Sequence, residues 1–127
     1  MKILLVDDHV LFREGLAGLI NSQPDLTLIG SADSVEDAIA KARALAPDVI
    51  LMDFSLPDGT GLNATQAILK ESPDVKIIFL TRHEQDDRLF EALDNGAKGY
   101  LLKNTSVNKL LAFIRGVQYG ETLSLAR

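Results

Sequence analysis

Apolar residues cluster in five short runs that have the length of buried β-strands. The runs occupy residues 3–6, 26–29, 49–52, 77–80 and 99–102. The first, third and fourth are almost continuously apolar, which is typical of strands covered on both faces of a sheet. The second contains Thr27 and is followed by Gly30 and Ser31, where we expect it to end as an edge strand. The pattern therefore predicts five strands.

The segment after each of these runs has the spacing of apolar residues that is typical of a helix. Apolar residues then recur three or four positions apart, which places them on one face of a helix. The five groups are Phe12, Leu16, Leu19 and Ile20; Val35, Ala38, Ile39 and Ala42; Ala64, Ala67 and Ile68; Leu89 and Leu93; and Val107, Leu110, Leu111, Ile114 and Val117. Turn-forming residues at 21–24, 47–48, 72–74 and 95–96 separate helices from the next strands, and Asn95-Gly96 is typical of a helix C-terminus.

Regular alternation of strand and helix restricts the fold. Parallel strands joined by right-handed crossover helices form one sheet that is covered on both faces. We therefore predict an α/β fold of the (βα)5 type, a doubly wound five-stranded parallel sheet with helices on both faces. The chain of 127 residues has the size of one such domain.

Composition narrows the possible functions. The absence of cysteine excludes a disulfide framework and thiolate chemistry, and it suits a cytoplasmic protein. With 18 acidic and 13 basic residues the formal charge is −5, so the chain lacks the basic surface of a nucleic-acid-binding module. No apolar stretch approaches the length of a signal peptide or a membrane span. We expect a soluble domain that does not bind DNA directly.

Polar residues follow four of the five predicted strands. Asp7 and Asp8 follow the first, Asp53 the third, Thr81 the fourth and Lys103 the fifth. Each alone is compatible with an ordinary turn or surface role. Ligands of open parallel sheets bind beyond the carboxyl ends of the strands, so we expect these five side chains to form one cluster.

The predicted cluster favours a divalent cation and phosphoryl chemistry. Two carboxylates about 4 Å apart repel by roughly 4 kcal/mol at an effective dielectric constant near 20. Mg2+ suits such a site better than Ca2+, because it needs few carboxylates and leaves room for a phosphoryl oxygen. A carboxylate can also be the nucleophile in phosphoryl transfer. Asp53 stands alone after a central strand, so we predict that it is the nucleophile.

Four sequence segments resemble the receiver domain of response regulators, the CheY-like family. They are DDH at 7–9, MDFSLPDGTG at 52–61, LTRH at 80–83 and GYLLK at 99–103. The resemblance covers nearly the whole chain and implies the strand order 2-1-3-4-5. DDHVLFREGL, GAKGYLLKN and LLAFIRGVQYGE are similar to the NarL and LuxR subgroup, whose members usually carry a C-terminal helix-turn-helix domain.

The resemblance implies a role for each residue of the cluster. Asp53 would accept a phosphoryl group from a sensor histidine kinase. Asp8 and Asp53 would bind Mg2+ together with the backbone carbonyl of Ser55, and Asp7 would contribute from the outer shell. Ser55 itself departs from the family, because many receivers carry asparagine there.

Further residues would carry the signal away from the phosphoryl group. Thr81 and Lys103 would contact it, and Tyr100 would be the aromatic switch residue that moves with Thr81. Arg82 stands where a smaller residue is common, so the lifetime of the acyl phosphate is left open. His9 and His83 are expected to have no direct chemical role.

The resemblance also implies a domain organisation and partners. Residues 1–119 would be the receiver domain, and residues 120–127 would begin a linker toward an absent C-terminal domain that binds DNA. Phosphorylation would promote a homodimer. The domain would not be an enzyme with a separate substrate, but a phosphoacceptor that promotes its own phosphorylation and dephosphorylation.

Three alternatives bear on this interpretation. A receiver-like interaction module that works without phosphorylation is the main one, and the complete set of five polar residues argues against it. Haloacid dehalogenase enzymes have a DxD motif, whereas Ser55 stands at the second position after Asp53. An FMN-binding protein is disfavoured because Asp7 and Asp8 would repel the phosphate.

Overall fold

The computed structural model describes residues 1–82, 91 and 93–118. Its seven strands are β1 (Lys2–Val6), β2 (Thr27–Ala32), β3 (Val49–Asp53), β4 (Ser55–Leu56), β5 (Gly59–Thr60), β6 (Lys76–Thr81) and β7 (Gly99–Leu102). Its helices are α1 (Val10–Asn21), α2 (Val35–Leu45), α3 (Gly61–Glu71) and α4 (Val107–Gln118). Most of the helix predicted around Leu89 and the proposed linker lie outside the described residues.

The five long strands form one parallel sheet in the order β2-β1-β3-β6-β7. Counted without the two short strands, this is the predicted order 2-1-3-4-5, which is confirmed. Strands β1, β3 and β6 are central, and their residues are buried apart from Lys2 and Lys76, which begin β1 and β6. The order changes direction between β1 and β3, so the carboxyl ends of these two strands lie at the topological switch point.

Alternate residues of each strand pack into two separate cores. Leu4 and Val6 of β1 face the core that is covered by α2 and α3. Ile3 and Leu5 face the opposite core, which is covered by α1 and α4. Because side chains alternate along a strand, one apolar run serves both cores. The predicted helices on both faces of the sheet are therefore confirmed.

Strand β2 is longer than its sequence predicted. It continues through Gly30 and Ser31 to Ala32, so the expected end at these two residues was wrong. Pairing with β1 supplies backbone hydrogen bonds that do not depend on side-chain polarity, and Gly30 lies opposite Leu4. The methyl group of an alanine at position 30 would lie 2.8 Å from the end of the Leu45 side chain, which would have to shift. The predicted edge position of β2 is confirmed.

A short antiparallel hairpin follows β3 and was not predicted. Its strands β4 and β5 pair Ser55 with Thr60, and the turn between them contains Asp58. The Asp58 carboxylate accepts hydrogen bonds from the backbone N–H groups of Val35 (2.7 Å) and Glu36 (3.1 Å). These groups belong to the first turn of α2, where the N–H groups have no partner within the helix. Two hydrogen bonds thus connect hairpin β4–β5 to the N-terminus of α2.

Helices α1 to α4 are short. They contain 11 or 12 residues. Gly96 has a φ of +99° and its N–H donates to the carbonyl of Leu93 at 3.0 Å, which confirms the predicted helix end at Asn95-Gly96. Within the described part of the chain, no helix has the length and apolar character that a membrane span requires.

Candidate functional site

Side chains from three strand ends meet at the carboxyl edge of the sheet. Asp7 follows β1, Asp53 is the last residue of β3, and Lys103 follows β7. The Lys103 ammonium nitrogen Nζ lies 2.7 Å from Oδ2 of Asp7 and 3.1 Å from Oδ2 of Asp53. The structure therefore brings together residues that are separated by up to 96 positions in the sequence, as the strand pattern predicted.

The centre of this cluster is buried. Asp7 is 0% exposed and Asp53 is 5% exposed, whereas the Asp8 side chain keeps 35% of its surface accessible. The Lys103 side chain is 9% exposed and its ammonium group stacks over the Phe12 ring, 4.6 Å from the ring centre. Burial strengthens the attraction within the ion pairs, and it makes the loss of one partner costly.

The electrostatic environment of Asp53 disfavours its charge. Burial raises the pKa of this carboxyl, and the neighbouring negative charge of Asp7 raises it further. Lys103 acts in the opposite direction, because its ammonium group favours the ionised form. The pKa of Asp53 is nevertheless above its ordinary value. One lysine therefore does not balance the acidic cluster, and an additional cation would stabilise it.

The donor atoms of the cluster are suited to a metal ion. One ligand atom each from Asp7, Asp8, His9 and Asp53 lies within 4.8 Å of all the others. Three of these donors are carboxylates, which hard divalent cations prefer. The pocket formed by Asp7, Asp8 and Asp53 could therefore bind a metal ion. The assignment of Asp8 and Asp53 as direct ligands, with Asp7 in the outer shell, stays a prediction.

Ser55 lies beside Asp53 through its backbone. Its N–H donates a hydrogen bond to Oδ1 of Asp53 at 3.2 Å, while the Ser55 side chain is exposed. The Ser55 N–H and Lys103 thus hold different oxygens of the Asp53 carboxylate, because Lys103 binds Oδ2. The predicted metal contact of the Ser55 carbonyl oxygen stays a prediction.

Thr81 and Tyr100 are both buried, Thr81 beside Lys103 and Tyr100 in the core. Thr81 ends β6 and is 3% exposed, and its carbonyl accepts a hydrogen bond from the Lys103 N–H at 2.7 Å. Tyr100 is 1% exposed and packs in the core covered by α2 and α3. Its ring centre lies 6.3 Å from those of Phe54 and Phe79. A switch role for Tyr100 stays a prediction.

Two further residues, His9 and Arg82, contact the cluster, and His9 was expected to have no direct chemical role. Nδ1 of His9 lies 3.1 Å from Oδ1 of Asp7, and Nη2 of Arg82 lies 3.0 Å from the same His9 nitrogen. Both residues follow a strand end directly after an acid or a hydroxyl residue, in DDH and LTR. That adjacency was the available signal, because a residue so close to the end of a central strand cannot leave the edge of the sheet.

Comparisons with known proteins agree with this architecture. The family model for the response regulator receiver domain matches residues 3–115. The response regulator protein VraR of Staphylococcus saprophyticus is 37% identical over 123 residues, which cover 97% of this chain and 59% of that protein. The oxygen regulatory protein NreC of Staphylococcus aureus is 43% identical over 123 residues, covering 96% of this chain and 57% of that protein. The chain thus spans less than two thirds of the length of these relatives.

Solved structures give the same result. A two-component response regulator of the LuxR family from Aurantimonas sp. SI85-9A1 superposes with a TM-score of 0.91 and 30% identity, covering 98% of this chain and 88% of that chain. The response regulator domain of Thermotoga maritima CheB gives a TM-score of 0.87 and 33% identity, covering 94% and 96%. Together with the fold and the acidic cluster, these matches show that the chain belongs to the receiver domain family of the response regulators of two-component systems.

Proposed function

We propose that this chain accepts a phosphoryl group from a sensor histidine kinase on the carboxylate of Asp53. The observation that carries the proposal is the contact of Lys103 Nζ with Oδ2 of both Asp7 and Asp53 at the carboxyl edge of the sheet. A buried carboxylate held between a lysine and further acids is suited to phosphoryl transfer, which depends on positioning and on neutralisation of charge.

The proposed reaction is a direct transfer. An oxygen of the Asp53 carboxylate attacks the phosphorus of a phosphohistidine, the P–N bond breaks, and the imidazole of the kinase leaves with the bonding electron pair. The products are an aspartyl phosphate and a free histidine. The Ser55 N–H and Lys103 orient the carboxylate through its two different oxygens. Lys103 also offers a positive charge to the oxygens of the incoming group.

Mg2+ is the cation that we propose for the acidic pocket. Asp8 and Asp53 would hold it with the carbonyl of Ser55, and Asp7 would act from the outer shell. Mg2+ would supply positive charge to the phosphoryl oxygens. With Asp7, Asp8 and Asp53 ionised, three negative charges balance one divalent cation and Lys103. Asp7 is fully buried against Lys103 and keeps that lysine directed at Asp53.

The signal would leave the site as a shift between two populations of conformations. The phosphoryl group would favour the arrangement in which Thr81 contacts it, and this arrangement would bias Tyr100 and the adjoining surface. The altered surface would promote a homodimer and would control a DNA-binding domain in a longer protein. The receiver would also promote its own dephosphorylation, with no separate substrate.

The direct test is incubation with Mg2+ and a small acyl phosphate, followed by measurement of the intact mass. We expect the mass gain of one phosphoryl group in the wild type and none in Asp53→Asn. Asp58→Asn is the matched control, because it removes another aspartate from the loop after β3 and should still be phosphorylated. An undiminished gain in Asp53→Asn, or no gain in the wild type with any donor, would leave the phosphate-independent interaction module as the better explanation.

A further inference from the structure

Arg82 brings a second positive charge to the neighbourhood of the proposed phosphoacceptor. It directly follows Thr81, the last residue of β6, and it is exposed. Its Nη2 lies 3.0 Å from Nδ1 of His9, and that imidazole nitrogen lies 3.8 Å from Oδ2 of Asp53. Only one side chain therefore stands between the guanidinium and the Asp53 carboxylate. The function proposed above gives Arg82 no task.

The contact between Arg82 and His9 can be exchanged for another. A guanidinium group only donates hydrogen bonds, so Nδ1 of His9 has to be an acceptor in this contact. The same Nδ1 lies 3.1 Å from Oδ1 of Asp7, where it has to be the donor. One nitrogen cannot do both at once, so His9 is a weak partner for Arg82. The charge of Arg82 does not depend on this choice, because arginine stays protonated in proteins.

Arg82 and Lys103 line the same open cavity. This cavity has a volume of about 480 Å3, and its described lining residues are His9, Leu11, Phe12, Arg82 and Lys103. None of these residues is acidic. Lys103 Nζ also contacts Asp53, so the cavity adjoins the proposed phosphoacceptor. A phosphoryl group that extends from Asp53 into this space has two cationic residues beside it.

The other cations of this edge are already held in place. Lys103 Nζ contacts Oδ2 of Asp7 at 2.7 Å and Oδ2 of Asp53 at 3.1 Å, and its side chain is 9% exposed. Arg13 donates a hydrogen bond from Nη1 to the backbone carbonyl of Asp7 at 2.7 Å. Arg82 is exposed and forms no ion pair with a carboxylate of the described residues. It is therefore the cation with freedom to move.

Phosphorylation adds a negative charge that the site does not balance without Arg82. Before the transfer, three carboxylates are balanced by Mg2+ and Lys103. After it, Asp53 is an uncharged acyl group, and its phosphoryl oxygens carry about two negative charges at neutral pH. Together with Asp7 and Asp8 this makes about four negative charges against the three positive charges of Mg2+ and Lys103. One positive charge is missing in the phosphorylated state only.

We propose that Arg82 leaves His9 when Asp53 is phosphorylated and donates hydrogen bonds to the phosphoryl oxygens. The inference rests on the proposed phosphoacceptor function and adds a phosphate contact to it. Arginine suits this task, because its fork of N–H groups matches the geometry of phosphate oxygens. Since the unphosphorylated site is balanced without it, Arg82 stabilises the phosphorylated state and is not needed for Mg2+ binding.

The test uses beryllium fluoride in the presence of Mg2+ as a probe of the phosphorylated state. Its fluoroberyllate group bonds to a carboxylate oxygen, has the tetrahedral shape of a phosphoryl group and carries a comparable charge. Fluorine NMR titration gives its affinity for wild type, Arg82→Gln and Arg82→Lys. Arg43→Gln is the matched control, because Arg43 is another exposed arginine, paired with Glu71 in α3.

The variants should separate charge from structure. We expect Arg82→Gln to weaken fluoroberyllate binding about 10-fold, the lower end of the effect of a hydrogen bond to a charged group, because Arg82 is exposed. Arg82→Lys should retain the affinity to within about threefold, since it keeps the charge. Arg43→Gln should leave it unchanged. Mg2+ affinity without beryllium fluoride should not fall in any variant. No loss in Arg82→Gln, an equal loss in Arg82→Lys, or a parallel loss of Mg2+ affinity would overturn the inference.

A second measurement detects the contact without a substitution in the protein observed. In wild type saturated with Mg2+ and beryllium fluoride, the guanidinium protons of Arg82 should show a nuclear Overhauser effect with the bound fluorine atoms. Arg82→Lys identifies the signal, which disappears in that variant. Absence of this effect in the wild type would overturn the inference even if Arg82→Gln failed to fold.

The inference and the proposed function can fail separately. Phosphorylation of Asp53 is read from the intact mass, while the role of Arg82 is read from fluoroberyllate affinity and the Overhauser effect. A phosphorylated wild type whose fluorine atoms do not contact Arg82 would refute the role of Arg82 alone. A wild type that neither gains a phosphoryl group nor binds fluoroberyllate would refute both.

Discussion

The buried lysine and the buried acids at the carboxyl edge of the sheet contribute unequally to the stability of the folded protein. Lys103 is shared by Asp7 and Asp53, so it balances one negative charge of two. Burial and the charge of Asp7 raise the pKa of Asp53, which means that the folded protein disfavours its ionised form. The ionised form of Asp53 is thus kept at some expense of stability, while Lys103 stabilises it.

Substitutions in this cluster should therefore change stability in opposite directions. We expect Lys103→Met to lower the free energy of unfolding by about 3 kcal/mol, because it leaves two buried carboxylates without their cation. Asp53→Asn should raise the free energy of unfolding at neutral pH, because it removes a charge beside Asp7 while Lys103 keeps a partner. Urea denaturation in a metal-free buffer measures both. A loss of stability in Asp53→Asn would contradict this account of the site.

The polar residues of this site were predictable to the extent that strand ends determine their position. Asp7, Asp53 and Lys103 were found because each stands at the end of an apolar run, and parallel strands bring such ends to one edge. The orientation of His9 was not predictable, because it depends on the backbone angles of a loop rather than on periodicity. The contact of Arg82 with His9 was not predictable for the same reason, since the Arg82 guanidinium reaches across to another loop.

At the scale of the elements, close packing of α4 on β7 depends on one glycine. The Cβ of an alanine at position 99 would overlap the ring of Phe113, whereas an alanine at Gly18 in α1 would meet no atom within 4 Å. We expect Gly99→Ala to lower the free energy of unfolding by about 1–3 kcal/mol, the usual effect of overpacking.

Gly18→Ala is the matched control for this substitution and should raise the free energy of unfolding by about 0.5–1 kcal/mol, since alanine is the better helix former. Both values come from denaturant titration. Adding Phe113→Leu to Gly99→Ala should restore part of the loss, because it removes the overlapping ring. Equal effects of the two alanine substitutions would show that α4 does not pack on Gly99 as described.

The link between the hairpin and α2 should depend on pH. Hydrogen bonds from the N–H groups of Val35 and Glu36 hold the pKa of Asp58 below its ordinary value of 3.8. A carboxyl whose pKa is lowered by folding stabilises the protein above its unfolded pKa and loses that effect as pH falls through the folded pKa. We expect Asp58→Asn to be less stable than wild type near neutral pH, and the difference to shrink below pH 3.8.

Urea denaturation at a series of pH values measures this difference. Asp74→Asn is the control, because Asp74 is an exposed aspartate just before β6, at the opposite edge of the sheet. A difference between wild type and Asp58→Asn that stays constant across the whole range would show that the charge of Asp58 does not support α2.

The two short strands β4 and β5 could not be predicted from the sequence. The five long strands followed from apolar runs and alternation, which are properties of the core, whereas their order was implied by the resemblance to receiver domains. Hairpin β4–β5 has two residues in each strand and only Leu56 of its four residues is buried. Its stability comes from backbone pairing and from the bonds of Asp58 to another element, and neither leaves a periodic signal in the sequence.

For the whole molecule, the site exists only when the sheet has formed. Asp7 and Asp8 follow β1, Asp53 ends β3 and Lys103 follows β7, so an unfolded chain cannot present them together. A ligand that binds only the folded state stabilises it by RT ln(1 + [L]/Kd), which is about 2.7 kcal/mol at a ligand concentration of 100 Kd. Metal binding at the edge of the sheet should therefore be measurable as global stability.

We expect Mg2+ to raise the unfolding midpoint of the wild type in urea by an amount that grows with the logarithm of its concentration above Kd. Asp8→Asn should remove most of this effect, because Asp8 is the exposed acid of the pocket and its loss leaves the buried Lys103 pairs in place. A monovalent salt of equal ionic strength separates binding from general screening. If Asp8→Asn gained as much stability from Mg2+ as the wild type, or if the monovalent salt had the same effect, the cation would act elsewhere on this acidic domain.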